Sequence, residues 1–154
     1  AGFLRVVAEW SESDLSYFAG IIDGEGCFSL KSRGGHRFGT CLHVGNTDPR
    51  LAQWLHARFG GTVTFHPYDN PRHKDDWRWT AAAGDLIEII TAVVPYLKLK
   101  REQAELMLAY RRTVAPAKGR TRSTSKTPEA FQRTRLQIRE QITNLNRRGK
   151  AMTA

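Results

Sequence analysis

The stretch FAGIIDGEGCFSL, residues 18–30, decides the fold. It starts with the period of a helix and ends with the period of a strand. Around the join it carries two acids, Asp23 and Glu25, and three glycines, Gly20, Gly24 and Gly26. Upstream, Ser13 or Ser11 can cap a helix running from about Asp14 to Gly24, and Glu12 and Asp14 suit its positive end. The middle of that helix reads LSYFAGII, with Ser16 its one polar residue. A helix apolar nearly all round is buried on more than one side. One side can cover its own core, and a second copy of the same helix would serve for the other. Gly20 and Gly24 lie four apart on one face with Ala19 beside them, a spacing that lets two backbones approach closely. A plain core helix also accounts for that spacing.

After Gly26 the period becomes two. Phe28 and Leu30 point one way; Cys27, Ser29, Lys31 and Arg33 point the other. RGGH, residues 33–36, is a turn, and the return strand, about Arg37 to Val44, places Phe38, Leu42 and Val44 inward and Arg37, Cys41 and His43 outward. NTDP, residues 46–49, opens a helix capped by Thr47 or Asp48, with Pro49 in its first turn. That helix carries Leu51, Trp54, Leu55 and Phe59 and stops at Gly60-Gly61. Residues 62–68 alternate again, with Val63 and Phe65 inward and Thr64, His66 and Tyr68 outward. A polar loop follows, containing Arg72 and Lys74. WRWTA, residues 77–81, is a fourth strand with Trp77 and Trp79 inward and Arg78 outward. Residues 84–94 form a helix, Pro95 restarts one carrying Leu99, Gln103, Leu106, Met107 and Tyr110, and Thr127-Pro128-Glu129 begins a last helix reaching about Asn146.

The order helix, two strands, helix, two strands, helices predicts an α+β domain with one antiparallel sheet. A length of 154 residues suits a single domain, here 1–154, with a core over about 13–112, a basic loop over 115–127 and a C-terminal helix over about 128–146. A net charge of +9 and a pI near 10.1 point to a polyanionic partner. No apolar run is long enough to span a membrane, no signal-peptide pattern opens the chain, and no basic amphipathic helix suits a membrane surface. Nucleic acid is therefore the expected partner and an intracellular location, cytoplasmic or organellar, the expected one. Cys27 and Cys41 make neither a disulfide framework nor a zinc spacing, and the five histidines show no metal-ligand spacing. The outer sheet face is repeatedly basic. Ser29, Lys31, Arg33, Arg37, His43, Thr64, His66, Tyr68, Arg72, Lys74, Arg78 and Lys98 are the candidate DNA contacts, the charges for phosphates and the shorter polar groups for base edges. The bland alternative is a solvated sheet face. Trp54, Trp77 and Trp79 are assigned to the core rather than to base stacking.

FAGIIDGEG resembles the motif of the LAGLIDADG homing endonucleases. Phe18, Ala19, Gly20, Ile21, Ile22, Asp23 and Gly26 are identical or conservative to it, while Gly24 stands for alanine and Glu25 for the second aspartate. NTDPRLAQWL and PYLKLKREQAELML resemble later segments of that family in the right order, and LNRRG near the end is a weaker echo. The resemblance covers about residues 13–146. It implies an αββαββα core with a four-stranded antiparallel saddle sheet and C-terminal helices. With one motif copy it implies a homodimer sealed by the motif helices through Phe18, Ala19, Gly20, Ile22, Asp23 and Gly24. It implies Mg²⁺ held by Glu25 and the Gly24 carbonyl, with Mn²⁺ or Ca²⁺ able to stand in for binding. Lys100 matches the family's active-site lysine, with Lys98 the neighbouring register. Asn46 falls where the family positions water, and Arg50 matches its basic neighbour. Asn46 could equally be a turn or cap residue, Lys100 a solvated helix charge, and Asp23 a structural acid or a support to the site. The implied reaction is hydrolysis of one phosphodiester in each strand of a long pseudo-palindromic duplex, leaving short 3′ overhangs. The competing class is a non-cleaving binder, either an RNA maturase acting on an intron or a DNA-binding regulator. A pure binder has no need of Glu25 together with Lys100, so the nuclease reading leads. The lack of splicing motifs favours an intron-type enzyme.

Overall fold

The computed structural model describes residues 10–114 and 128–151. The basic loop expected over 115–127 lies outside the described residues. Helix α1 is Glu12–Glu25, followed by strands β1 (Gly26–Ser32) and β2 (Phe38–Asn46), helix α2 (Pro49–Phe59), strands β3 (Thr62–His66) and β4 (Asp76–Ala82) and helix α3 (Ala83–Val93). A 3₁₀ turn over Val94–Tyr96 leads to α4 (Arg101–Arg112), and α5 is Glu129–Ala151. The four strands form one antiparallel sheet in the order β1-β2-β4-β3. The fold is α+β, as the alternation of periods predicts.

Local chemistry sets the boundaries. Ser11 is the cap of α1, its hydroxyl accepting the Asp14 N–H at 3.1 Å. Asp48 caps α2 with Pro49 in the first turn. The β1–β2 turn uses Gly34 and Gly35 at φ +102° and +57°, values that only glycine adopts freely. At the join of α1 and β1, a Cβ on Gly26 would stand 2.8 Å from the Ile22 backbone. The chain therefore leaves the helix and enters the strand in a space that excludes any side chain.

The core lies between the inner sheet face and the helices. Phe18, Ala19, Ile22, Phe28, Leu42, Leu55, Trp79, Leu86, Ile89 and Ile90 are wholly buried in it. Phe18 stacks at 4.3 Å from Phe59 and meets Trp79 edge-on at 5.5 Å. Trp79 donates its indole N–H to the Gly60 carbonyl at 2.7 Å, so the largest core side chain leaves no polar atom unpaired. Phe65 shares the inner face with Val63, opposite Trp77 in the register, but it lies at the rim on the edge strand β3, against Trp77 at 4.8 Å, and stays 47% exposed.

One other feature departs from the sequence reading, and one lay beyond it. Pro95 does not restart a helix. It sits in the 3₁₀ turn, and α4 begins only at Arg101, because the amides of residues 98–100 are captured by a side chain from α1. Leu99 consequently lies before α4 and is 76% exposed. The charge on α5 also turns inward at one point. Arg135 is buried, donating to the Thr113 hydroxyl at 2.9 Å and the Thr113 carbonyl at 2.7 Å. A cation there offsets the negative C-terminal end of α4. Further along α5, Asn146 donates to the Phe28 carbonyl at 2.9 Å and so protects β1, an edge strand.

Candidate active site

The C-terminal end of α1 organises the site. Asp23 is the side chain that captures the loop before α4. Its Oδ2 accepts the Lys98 N–H at 2.9 Å, and its Oδ1 accepts those of Leu99 and Lys100 at 3.1 and 3.0 Å. Hydrogen bonds to a charged acceptor are the stronger kind, so α1 and the start of α4 form one unit. Asp23 is thus the structural acid. Its anchoring turns Lys100 toward the join, where the ammonium donates to the Gly26 carbonyl. The lysine stands one residue from Glu25. Lys98 in the same loop is exposed.

Glu25 is exposed at the rim of an open cleft of about 580 Å³, lined also by Cys27, His43, Gly45, Asn46, Thr47, Asp76 and Arg78. Asn46 ends β2 on this cleft, and its Oδ1 accepts the Asp48 N–H at 2.8 Å. Both readings of Asn46 therefore coexist: its carbonyl makes the turn, and the residue still lines the cleft. Arg50 is not among the cleft residues. It lies over a neighbouring hollow with Tyr17, Asp48, Leu51 and Trp54, which Asn46 also borders. Asp48 grips the Arg50 guanidinium, the shortest contact being 2.6 Å. The Arg50 side-chain hydrogen bonds, followed by the Arg50 backbone N–H, hold the Asp48 carboxyl down at about 2.

The sheet register brings the outer residues into rows. Cys27 faces His43, His43 faces Thr80, Gly45 faces Arg78 and Thr64 faces Arg78 from the other side. Lys31, Arg33 and Arg37 are exposed around the β1–β2 turn, and Tyr68, Arg72 and Lys74 are exposed in the loop after β3. Ser29 is half-buried, its hydroxyl buried and without a partner among the described residues, and Arg78 is half-buried beside the cleft. His66 is tied to Thr64 at 2.9 Å. His43 is engaged on both ring nitrogens, with Cys41 Sγ 3.1 Å from Nε2 and Thr80 Oγ1 3.0 Å from Nδ1. Burial first, then the charges of Lys31 and Arg78, push His43 below its ordinary pKa, while burial pushes the Cys41 thiol up. Both groups are neutral at neutral pH. A contact through either His43 nitrogen requires one of these internal bonds to open.

The expected dimer residues divide. Phe18, Ala19 and Ile22 are fully buried in the chain's own core, so these three are not on a free face, while Asp23 is half-buried, holds the loop amides and lines the groove beside Gly20. Gly20 and Gly24 are exposed, and a Cβ on either would meet nothing within 4 Å. Ser13, Ser16 and Tyr17 continue that exposed face along α1, Tyr17 being 59% exposed. It is flanked by the hollow holding Tyr17, Leu51 and Trp54 on one side. On the other runs a groove lined by Gly20, Pro95, Leu97 and Lys98.

The donor chemistry at the cleft suits a hard divalent cation. Glu25 supplies an exposed carboxylate, Gly24 a last-turn carbonyl with no partner further along the helix, and Asn46 an amide. Asp76 adds a carboxylate whose buried Oδ1 has no partner among the described residues. Among the described residues no three His, Cys, Asp or Glu side chains group as a self-sufficient metal site. The chain thus offers part of a coordination sphere, as is usual for Mg²⁺ shared with phosphates and water. Sequence reading missed Asp76 because it ended the strand at Trp77. The signal was there, since one further step of the two-residue period puts Asp76 on the face of Arg78.

By sequence the chain matches no family model and no curated protein. By structure it has the fold of the LAGLIDADG homing endonucleases. An archaeal intron-encoded homing endonuclease complexed with DNA superposes with a TM-score of 0.66 at 12% identity, over 87% of this chain and 84% of that one. The homing endonuclease I-CvuI, bound to uncleaved I-CreI target DNA in the presence of Mg, gives 0.61 at 18% identity, over 87% and 82%. The LAGLIDADG homing endonuclease I-GzeII with its DNA target gives 0.57 at 18% identity, covering 83% of this chain but 43% of that one.

Proposed function

We propose that the chain is a site-specific, Mg²⁺-dependent homing endonuclease. In this reading it acts as a homodimer on a long pseudo-palindromic duplex and hydrolyses one phosphodiester in each strand, leaving short 3′ overhangs. One observation carries the reading: an exposed carboxylate, Glu25, ends the motif helix at a cleft on a basic sheet face, with Lys100 fastened one residue away. Lys31, Arg33, Arg37, Arg72, Lys74 and Arg78 would neutralise phosphates, and Ser29, Thr64, His66 and Tyr68 would meet base edges or sugar. Glu25 and the Gly24 carbonyl would hold the cation. When bound, a divalent cation supplies an activated water and charge neutralisation at the leaving oxygen. Lys100 places positive charge where phosphate charge develops, and Asp23 fixes the backbone from which that lysine extends. Asn46 borders the cleft with an amide N–H₂ suited to orienting water. Arg50 is placed to meet a phosphate at the cleft's edge if it exchanges Asp48 for DNA.

The dimer reading rests on Gly20 and Gly24. Glycine in a helix interior costs about 1 kcal/mol relative to alanine, and nothing inside the protomer demands it at either position. A second α1 packed against this face supplies the reason. The length relations agree, because one unit of this fold accounts for less than half of the I-GzeII chain and most of the I-CvuI chain. Two-fold symmetry then pairs two cleavage sites with two strands.

The test is cleavage of a randomised duplex library with Mg²⁺, alongside an EDTA control and Glu25→Gln. Recovery of one pseudo-palindromic cut site, lost in both controls while Glu25→Gln still binds it, is the expected result. Tight binding to DNA or intron RNA without any cutting would replace the nuclease by a maturase or a regulator.

A further inference from the structure

We propose that Asp76 is a positioning residue that makes phosphate entry into the cleft conditional on a divalent cation. The inference rests on the nuclease reading and adds to it an acid outside the motif. Asp76 opens β4 on the outer face, opposite His66 of β3. Its side chain is only 18% exposed, and its Oδ1 is buried with no partner among the described residues. Its Oδ2 lies 3.9 Å from the Arg78 guanidinium, beyond hydrogen-bond reach. A Cβ on Gly45 would come within 3.2 Å of that same oxygen, so the missing side chain at Gly45 leaves room for the carboxylate beside the cleft. A buried, incompletely paired carboxylate is costly, and natural folds keep one where it meets a water or an ion.

The surroundings give that carboxylate a task. The outer face is cationic, yet at this cleft Glu25 and Asp76 face the same space, with Arg78 as the lining cation 3.9 Å from Asp76. A phosphate brought there meets two carboxylates against one guanidinium that already stands beside Asp76, and a divalent cation relieves the repulsion. The flanking lysines and arginines bind DNA without such help. On a purely basic face added Ca²⁺ weakens binding, because it competes as a counterion for phosphate. A cleft lined by two carboxylates and one guanidinium reverses the sign.

The experiment is fluorescence anisotropy with the full-length protein and a labelled pool of random 30-base-pair duplexes, at constant ionic strength, in Ca²⁺ or in EDTA. The unaltered chain is expected to bind about tenfold tighter in Ca²⁺. Asp76→Asn is expected to shrink that ratio to about threefold or less by gaining affinity in EDTA. Asp69→Asn, in the exposed loop, is expected to keep the full ratio. Circular dichroism checks the fold, with Asp76→Ser replacing an asparagine variant that does not fold. A ratio unchanged by a folded Asp76 variant, or equal loss of binding in both conditions, overturns the proposal and leaves the nuclease reading standing. Failure of the unaltered chain to bind duplex DNA at all overturns both.

Discussion

The two faces of α1 answer different constraints with the same few residue types. The inner face is filled by Phe18, Ala19 and Ile22, without exposure. The outer face presents Ser13, Ser16, Tyr17, Gly20 and Gly24 to open space. Glycine shows the difference most directly. At Gly26 a Cβ would collide with the Ile22 backbone, so the requirement is internal to the protomer. At Gly20 and Gly24 there is no collision, and the proposed dimer makes the requirement external. On that proposal one motif joins a rule for folding to a rule for assembly, and stability and association should fail separately when the two faces are altered.

The largest effect is expected on the inner face. Phe18→Ala removes a ring packed between Phe59 and Trp79 and should cost about 3–5 kcal/mol in urea unfolding. A loss below about 1 kcal/mol would mean that this face is not the core. On the outer face, Gly20→Leu should leave the protomer folded and weaken self-association about 100-fold or more, read by sedimentation equilibrium; each tenfold corresponds to about 1.4 kcal/mol. Unchanged association would remove the open glycine face from the seam. Asp23→Ala should combine the two kinds of failure. Losing the acceptor for three amides should cost about 2 kcal/mol and free Lys100, so cleavage should fall further than stability alone explains. Cleavage equal to that of the unaltered chain below the melting temperature would detach Asp23 from the proposed site.

Much of this contrast is legible in the sequence, because burial leaves a periodic trace. LSYFAGII announces a helix covered on more than one side, and the alternation from Phe28 to Leu30 and from Phe38 to Val44 sorts the sheet faces correctly. Periodicity does not say which residues of an all-apolar helix face inward. Phe18, Ala19 and Ile22 were equally plausible at a seam until the sheet position was known. Nor does it register contacts made across the chain. The delayed start of α4 depends on Asp23, some 75 residues earlier, and the burial of Arg135 depends on the end of α4. At the site, Glu25 and Lys100 are readable from motif resemblance. Asp76 is readable only as to its face, one period before Arg78; its incompletely paired carboxylate and the bare Gly45 backbone beside it are contacts made across strands. Arg50 shows the converse: the motif resemblance assigns it to the site, but its side chain is turned to Asp48.

That pair gives the smallest effect expected and a way to sharpen the comparison at the border of the free face. Asp48 and Arg50 sit in the hollow beside Tyr17, largely in solvent. Exposed ion pairs contribute little, so replacing Asp48 should scarcely alter stability near neutral pH beyond the lost α2 cap. Its pH signature is more specific. The folded-state pKa is depressed to about 2 from 3.8, so the pair's contribution is complete above about pH 4 and is lost as pH falls through about 2. Thermal melts of Asp48→Asn should therefore show a shallower decline over that window than the unaltered chain. Identical declines would mean that Arg50 does not hold Asp48 in solution, leaving it free to reach toward the cleft before any DNA arrives.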